Sequence, residues 1–120
     1  MKINILSASL SLVAISPSLA CLHTYGQVLT DIKRSYYKLL WAGATDNGLD
    51  VCDIEWGWRI DQDGHFSITC LAAYVYAFTK DGETAWYSNG VNGYRFVQVP
   101  NYVLNTDRQY EWQTYNFGPC

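Results

Sequence analysis

The sequence predicts an all-β fold, a small antiparallel sandwich or barrel held by two disulfides. Three observations lead there. Asn47-Gly48, Asp63-Gly64, Asp81-Gly82, Asn89-Gly90 and Asn92-Gly93 place turn signals at short intervals. The runs between them are rich in Val, Ile, Thr, Tyr, Trp and Phe, which suit a half-buried pleated surface. Four cysteines, Cys21, Cys52, Cys70 and Cys120, stand in a chain of 120 residues. An even number in a short secreted domain reads as a disulfide framework.

Secretion is itself read from the first twenty residues, MKINILSASLSLVAISPSLA. Lys2 precedes a short apolar run broken by serines, and Ser18-Leu19-Ala20 supplies small residues before a cut. That is the layout of a signal peptide, and the apolar part is too short and interrupted to span a bilayer well. Residues 1–20 are therefore assigned to the signal peptide and 21–120 to one secreted domain with one core. A lipoprotein anchored through Cys21 is the minor alternative. Without Lys2, seven basic residues face eleven acidic ones, a net charge of −4. That balance argues against general nucleic-acid binding and offers no polybasic element for a membrane.

Strands are predicted near 22–30, 36–45, 49–60, 65–79, 83–88, 93–99 and 109–115. In VLTDIKRSYYKLLW, residues 28–41, the residues Leu29, Ile32, Tyr36 and Leu40 fall at helical spacing. Tyr37, Leu39 and Trp41 also alternate and lead into the Asn47-Gly48 turn, which favours strand. A helix here would make the fold α+β, with one N-terminal helix packed on an antiparallel sheet.

The side chains of WGWRIDQDGHFSITC select a hairpin register. A three-residue loop of Gln62, Asp63 and Gly64, with Gly64 left-handed, sets Ile60 opposite Phe66, Trp58 opposite Ile68 and Trp56 opposite Cys70. These form one apolar face, while Glu55, Arg59, His65, Ser67 and Thr69 form the other. A two-residue loop would mix the faces, because a one-residue slip reverses every side chain. The chosen register sets Cys52 opposite Tyr74, too far from Cys70 for a bridge without a bulge or a shorter register. Yet a Cys21–Cys120 bridge between the ends forces Cys52–Cys70. Connectivity stays open at this level.

Site chemistry is sparse. Asp61-Gln62-Asp63-Gly64 resembles the start of a calcium loop, but the twelfth residue counted from Asp61 is Ala72, not glutamate. Turn chemistry explains these aspartates. His23 and His65 lie far apart and no C-x-x-C pair occurs, so neither a metal nor another cofactor is expected. Glu55, Arg59 and His65, with Glu111, Arg95 and His23 as further candidates, carry residue types used by small fungal ribonucleases. RQYEWQTY shares only Tyr-Glu-Trp with the active-site stretch of those enzymes. No G-x-S-x-G elbow is present. The sequence points away from catalysis.

Aromatic content is the most unusual feature: five Trp, ten Tyr and four Phe, all after residue 20. A surplus beyond the core would form a platform for sugar rings or a protein partner. Trp86, Tyr87 and Tyr94, flanking the Gly/Asn loop 88–93, are the binding residues the sequence nominates.

The run WGWRIDQDGHFSITC…YVYAFTKDGETAWYSNG, in a four-cysteine domain behind a signal peptide, resembles the small cysteine-containing secreted proteins of filamentous fungi. Many of those are candidate effectors of plant-associated species. The resemblance is best over residues 50–90. It implies an extracellular protein, with delivery into a host as a further option, that acts by binding a host or competitor protein. It carries over no functional residues. The expected function is thus a non-catalytic interaction protein, with carbohydrate or cell-wall binding and a small ribonuclease-like activity as alternatives.

Overall fold

The computed structural model describes residues 21–31, 33, 36–103 and 108–116. Residues 1–20, expected to be a signal peptide, and Cys120 lie outside them. The described chain is all-β, with two antiparallel five-stranded sheets facing each other across one core.

The strands are β1 (Leu22–Thr30), β2 (Tyr37–Asp46), β3 (Leu49–Asp53), β4 (Trp58–Ile60), β5 (Phe66–Ile68), β6 (Val75–Phe78), β7 (Thr84–Ser88), β8 (Gly93–Val97), β9 (Asn101–Val103) and β10 (Arg108–Asn116). Sheet 1 runs β9-β10-β1-β2-β3, and sheet 2 is the meander β4-β5-β6-β7-β8. Pairing of β10 with β1 brings the two ends of the described chain together.

Turn chemistry behaves as the sequence predicts. Asn47 and Gly48 both have positive φ and join β2 to β3 by a two-residue hairpin, Asp46 facing Leu49. Gly64 is left-handed at φ 81°. The loop before it closes through the Asp61 N–H donating to the His65 carbonyl at 2.9 Å. The register of β4 on β5 follows: Trp58 faces Ile68, Arg59 faces Ser67, and Ile60 faces Phe66.

Three expectations are corrected. Residues 49–60 are not one strand. Asp53 accepts the Glu55 N–H and starts a single 3-10 turn, Ile54–Trp56, and Gly57 at φ 128° ends it. This excursion takes up the residues that would have displaced Cys52, so Cys52 faces Cys70 directly and the two form a disulfide. Trp56 does not face Cys70, and Tyr74 does not face Cys52. Residues 65–79 are likewise not one strand but a hairpin: β5 and β6 pair antiparallel, with Ile68 opposite Tyr76. The chain reverses through Leu71–Tyr74, where Ala73 takes φ 75°. Strand, not helix, occupies both ends of residues 28–41, and no α-helix occurs among the described residues.

The core alternates as a half-buried sheet should. Along β1, Leu22, Thr24, Val28 and Thr30 point inward, meeting Tyr76 and Phe78 of β6, Phe66 and Ile68 of β5, and Trp112 of β10. Trp112 is 1% exposed and is clasped between Gly26 and Gly82, where an added Cβ at either position would collide with the indole. Its Nε1 donates to the Tyr76 hydroxyl at 3.2 Å. Tyr76 donates to Gln98 Oε1 at 2.6 Å, which also accepts from Thr24 Oγ1 at 2.9 Å. Gln98 Nε2 donates to the Gly82 carbonyl at 2.7 Å. A satisfied buried network of this kind fixes one relative placement of the sheets.

Candidate functional site

Sheet 1 turns an aromatic row outward. His23 and Tyr25 of β1, Trp41 of β2 and Tyr115 of β10 occupy the face opposite the core. His23 stacks on Tyr115 with centroids 4.2 Å apart, and it lies 5.1 Å from Tyr25, which lies 5.8 Å from Trp41. The polar groups between the rings satisfy one another. Trp41 Nε1 donates to Gln27 Oε1 at 3.1 Å, Gln27 Nε2 donates to Glu111 Oε1 at 2.9 Å, and His23 Nε2 lies 3.2 Å from Gln113 Oε1. Burial, then Asp53 and Asp50, raises the Tyr25 pKa. This row was not nominated from the sequence. Its signal was the alternation in HTYGQ, which reads equally well as core.

Trp86, Tyr87 and Tyr94 are divided by the faces of sheet 2. Tyr87 pairs with Tyr94 and both turn to the core; Trp86 pairs with Arg95 on the outside. The Tyr87 hydroxyl donates to the Asp46 carboxylate, linking the sheets. Burial and that carboxylate push its pKa well above the ordinary tyrosine range. Tyr87 thus ties the two sheets together. Trp86, Tyr87 and Tyr94 nevertheless all line one open concavity of about 320 Å³, together with Val75, Ser88, Gly93 and Arg95. His65 stacks on Trp86 at 4.5 Å and 17°.

The edge of sheet 2 is the third surface. The sequence pattern assigns Trp56, Trp58 and Ile60 to a buried face, but they are 46%, 47% and 45% exposed. Their neighbours across the hairpin, Phe66 and Ile68, are buried. For Trp58 and Ile60 the reason is topological: β4 is an outermost strand of sheet 2, so the core packs on β5 and reaches β4 only in part, while Trp56 sits off the sheet in the 3-10 turn. Trp58 still touches the core edge, its ring 5.8 Å from Phe66. Beside it a second concavity, about 290 Å³, runs past Ser67 to Val75.

The acid–base candidates do not form one group. Glu55 leaves the sheet in the 3-10 turn, exposed, and so does not share a strand face with Arg59 and His65. His65 Nδ1 lies 3.8 Å from Asp61 Oδ2. His23 and Glu111 belong to sheet 1, with the glutamine partners given above, and Arg95 belongs to sheet 2. Asp61, Asp63 and His65 bring one ligand atom each within 4.8 Å of one another. Asp61 Oδ1 already accepts the N–H groups of Asp63 and His65 at 2.9 Å. Three ligands from one turn fall short of the six to eight oxygens of a calcium site, so the cluster is turn chemistry.

No helix among the described residues is long and apolar enough to cross a membrane. No family model, curated protein or solved structure matches the chain, so the surfaces themselves carry the functional argument.

Proposed function

We propose that the protein is a secreted, non-catalytic interaction protein that binds a host or competitor protein outside the cell that makes it, as an effector does. The observation that carries this reading is the pair Trp58 and Ile60, half-exposed apolar side chains on the edge strand β4, with Trp56 equally exposed in the 3-10 turn just before it. β4 is short and carries Arg59 at its centre, two features that blunt a sheet edge, yet the apolar side chains on either side of Arg59 stay half exposed. Exposed apolar patches of this kind mark interaction surfaces, and Trp is favoured where binding energy concentrates. The Cys52–Cys70 disulfide fits an oxidising compartment.

The test compares wild type with Trp56→Ser/Trp58→Ser and with Tyr115→Ser, an exposed aromatic of sheet 1. Wild type and Tyr115→Ser are expected to be retained equally on immobilised extracellular protein of the target, and the Trp double variant is expected to be lost. Equal retention of all three overturns the assignment of the edge. Export is read separately by the mass of the secreted product, which should begin near Cys21.

A second reading rests on Trp86. An indole backed by His65, in a concavity shared with Tyr87, Tyr94, Ser88 and Arg95, fits a sugar ring stacked on an aromatic wall. A glycan array decides it: binding removed by Trp86→Ala supports this reading, and a clean negative with folded protein removes it.

A further inference from the structure

The edge of sheet 2 has a backbone polarity that selects how a partner docks. Within β4 the groups that bond inward are fixed at both ends. The Asp61 N–H donates to the His65 carbonyl, and the Gly57 carbonyl accepts the Thr69 N–H, each at 2.9 Å. In an antiparallel pair, inward and outward groups alternate residue by residue. Gly57, Arg59 and Asp61 therefore bond toward β5, while Trp58 and Ile60 turn their N–H and C=O groups to the open edge. The same two residues project their side chains on the core-side face, and Arg59 projects on the opposite one.

We propose that a partner binds by adding an antiparallel strand to β4, with the pattern apolar–acidic–apolar centred opposite Arg59. This rests on the edge being the binding surface. Partner residues opposite Trp58 and Ile60 exchange backbone hydrogen bonds with them, and apolar side chains there extend the exposed apolar face. The partner residue opposite Arg59 falls in a non-hydrogen-bonded pair, where side chains approach closest. An acidic residue there meets the guanidinium. Two positions earlier in the partner, a basic residue meets Asp61. The preferred core is Lys-Val-Glu-Val-Thr.

A second copy of this chain fits less well. Pairing symmetric about Arg59 sets Arg59 against itself, and like charges directly opposite destabilise a sheet. Pairing symmetric about Ile60 sets Trp58 against Gln62, which lies in the hairpin turn.

The probe is a dye-labelled, end-blocked peptide containing Lys-Val-Glu-Val-Thr, titrated against the mature protein by fluorescence anisotropy. The comparison peptide is its charge-swapped form, Glu-Val-Lys-Val-Thr. Tighter binding of the first is expected. Ile60→Pro removes only an outward N–H, a substitution that edge strands accommodate. It should weaken binding by about tenfold or more, because it deletes one bond and blocks approach of the strand. Ile60→Val should change binding little. Equal binding by wild type and Ile60→Pro overturns strand addition, and so does an equal response to both peptides. Retention on target protein that is lost in Trp56→Ser/Trp58→Ser but kept in Ile60→Pro preserves the surface and sinks the strand. Should Ile60→Pro not fold, amide exchange of wild type with the peptide decides. Slowing at Trp58 and Ile60 supports the proposal, and no slowing overturns it. A dimer of the free protein that Ile60→Pro dissolves would make the occupant a second copy and would also overturn it.

Discussion

The two sheets carry comparable aromatic content but spend it differently. Sheet 1 is built on three long strands, β1, β2 and β10, of 9, 10 and 9 residues. Its outward rings stack on one another, and its outward amides and carboxylates pair among themselves. Sheet 2 is built from strands of three to five residues. Its β4 edge leaves Trp58 and Ile60 half exposed, with backbone groups turned outward, and Trp56 is equally exposed in the turn beside it. The difference teaches that aromatic richness alone does not locate a binding surface. What separates the sheets is whether polar and apolar groups have already found partners within the chain. By this measure the outward rings and amides of β1, β2 and β10 are largely paired with one another, and the β4 edge of sheet 2 is open.

The comparison breaks most severely at Trp112, which belongs to sheet 1 but ends its hydrogen-bond relay on Tyr76 and Gln98. Trp112→Ala should cost about 3–5 kcal/mol, read from urea unfolding, because it leaves a cavity between Gly26 and Gly82. It also strips the Tyr76 hydroxyl of a donor. Next comes the link between the sheets at Cys52–Cys70, a bridge across 18 positions. Cys52→Ala with Cys70→Ala should lower stability by about 2–4 kcal/mol. Open edges should survive better than this link does.

A third way to sharpen the contrast is alkaline titration. Burial raises the pKa of both Tyr76 and Tyr87, with the Asp46 carboxylate adding to the effect at Tyr87. A group with a raised folded pKa contributes stability that is complete below its unfolded value, near 10 for tyrosine, and is lost as pH rises above that. Stability measured by urea midpoint should hold up to about pH 10 and then fall by at most about 1.4 kcal/mol per pH unit for each tyrosine. Tyr87→Phe should flatten that fall while lowering stability at neutral pH, where its bond to Asp46 is lost. The smallest stability effect belongs to the open edge. Trp56→Ser should change stability by no more than about 0.5 kcal/mol, as surface substitutions do, while reducing retention on the partner.

Most of the fold was legible in the sequence because turn chemistry is local. Asn47-Gly48 and Gly64 need positive φ, and their neighbours alternate, so both hairpins and the β4–β5 register could be read directly. Two breaks were hidden for different reasons. Gly57 sits inside a run of apolar alternation, WGWRI, which masks the turn it ends. The reversal at Leu71–Tyr74 has no Gly, Pro, Asn or Asp at all; it relies on Ala73 in a left-handed conformation that tertiary structure imposes. Cys70 already faces Cys52 by then, so the chain has to turn back there to form β6. The short strand β9 was not read either, since Asn101–Val103 offers too few residues for a period to show.

The candidate site was less legible than the fold. Trp86 was nominated because it flanks a glycine-rich loop, but alternation along β7 sends its neighbour Tyr87 to the core. Trp58 and Ile60 were assigned to the correct sheet face and the wrong degree of cover. Periodicity gives the face a side chain takes; it does not say whether another layer extends that far.

Amide hydrogen exchange of the free protein at single-residue resolution tests the contrast most directly. β1 is paired on both sides, so the consecutive amides of Tyr25, Gly26 and Gln27 should all exchange slowly. In β4 the amide of Arg59 should be slow and those of Trp58 and Ile60 fast. Trp58 and Ile60 amides as slow as that of Arg59 would mean the edge is already covered, and would contradict the account.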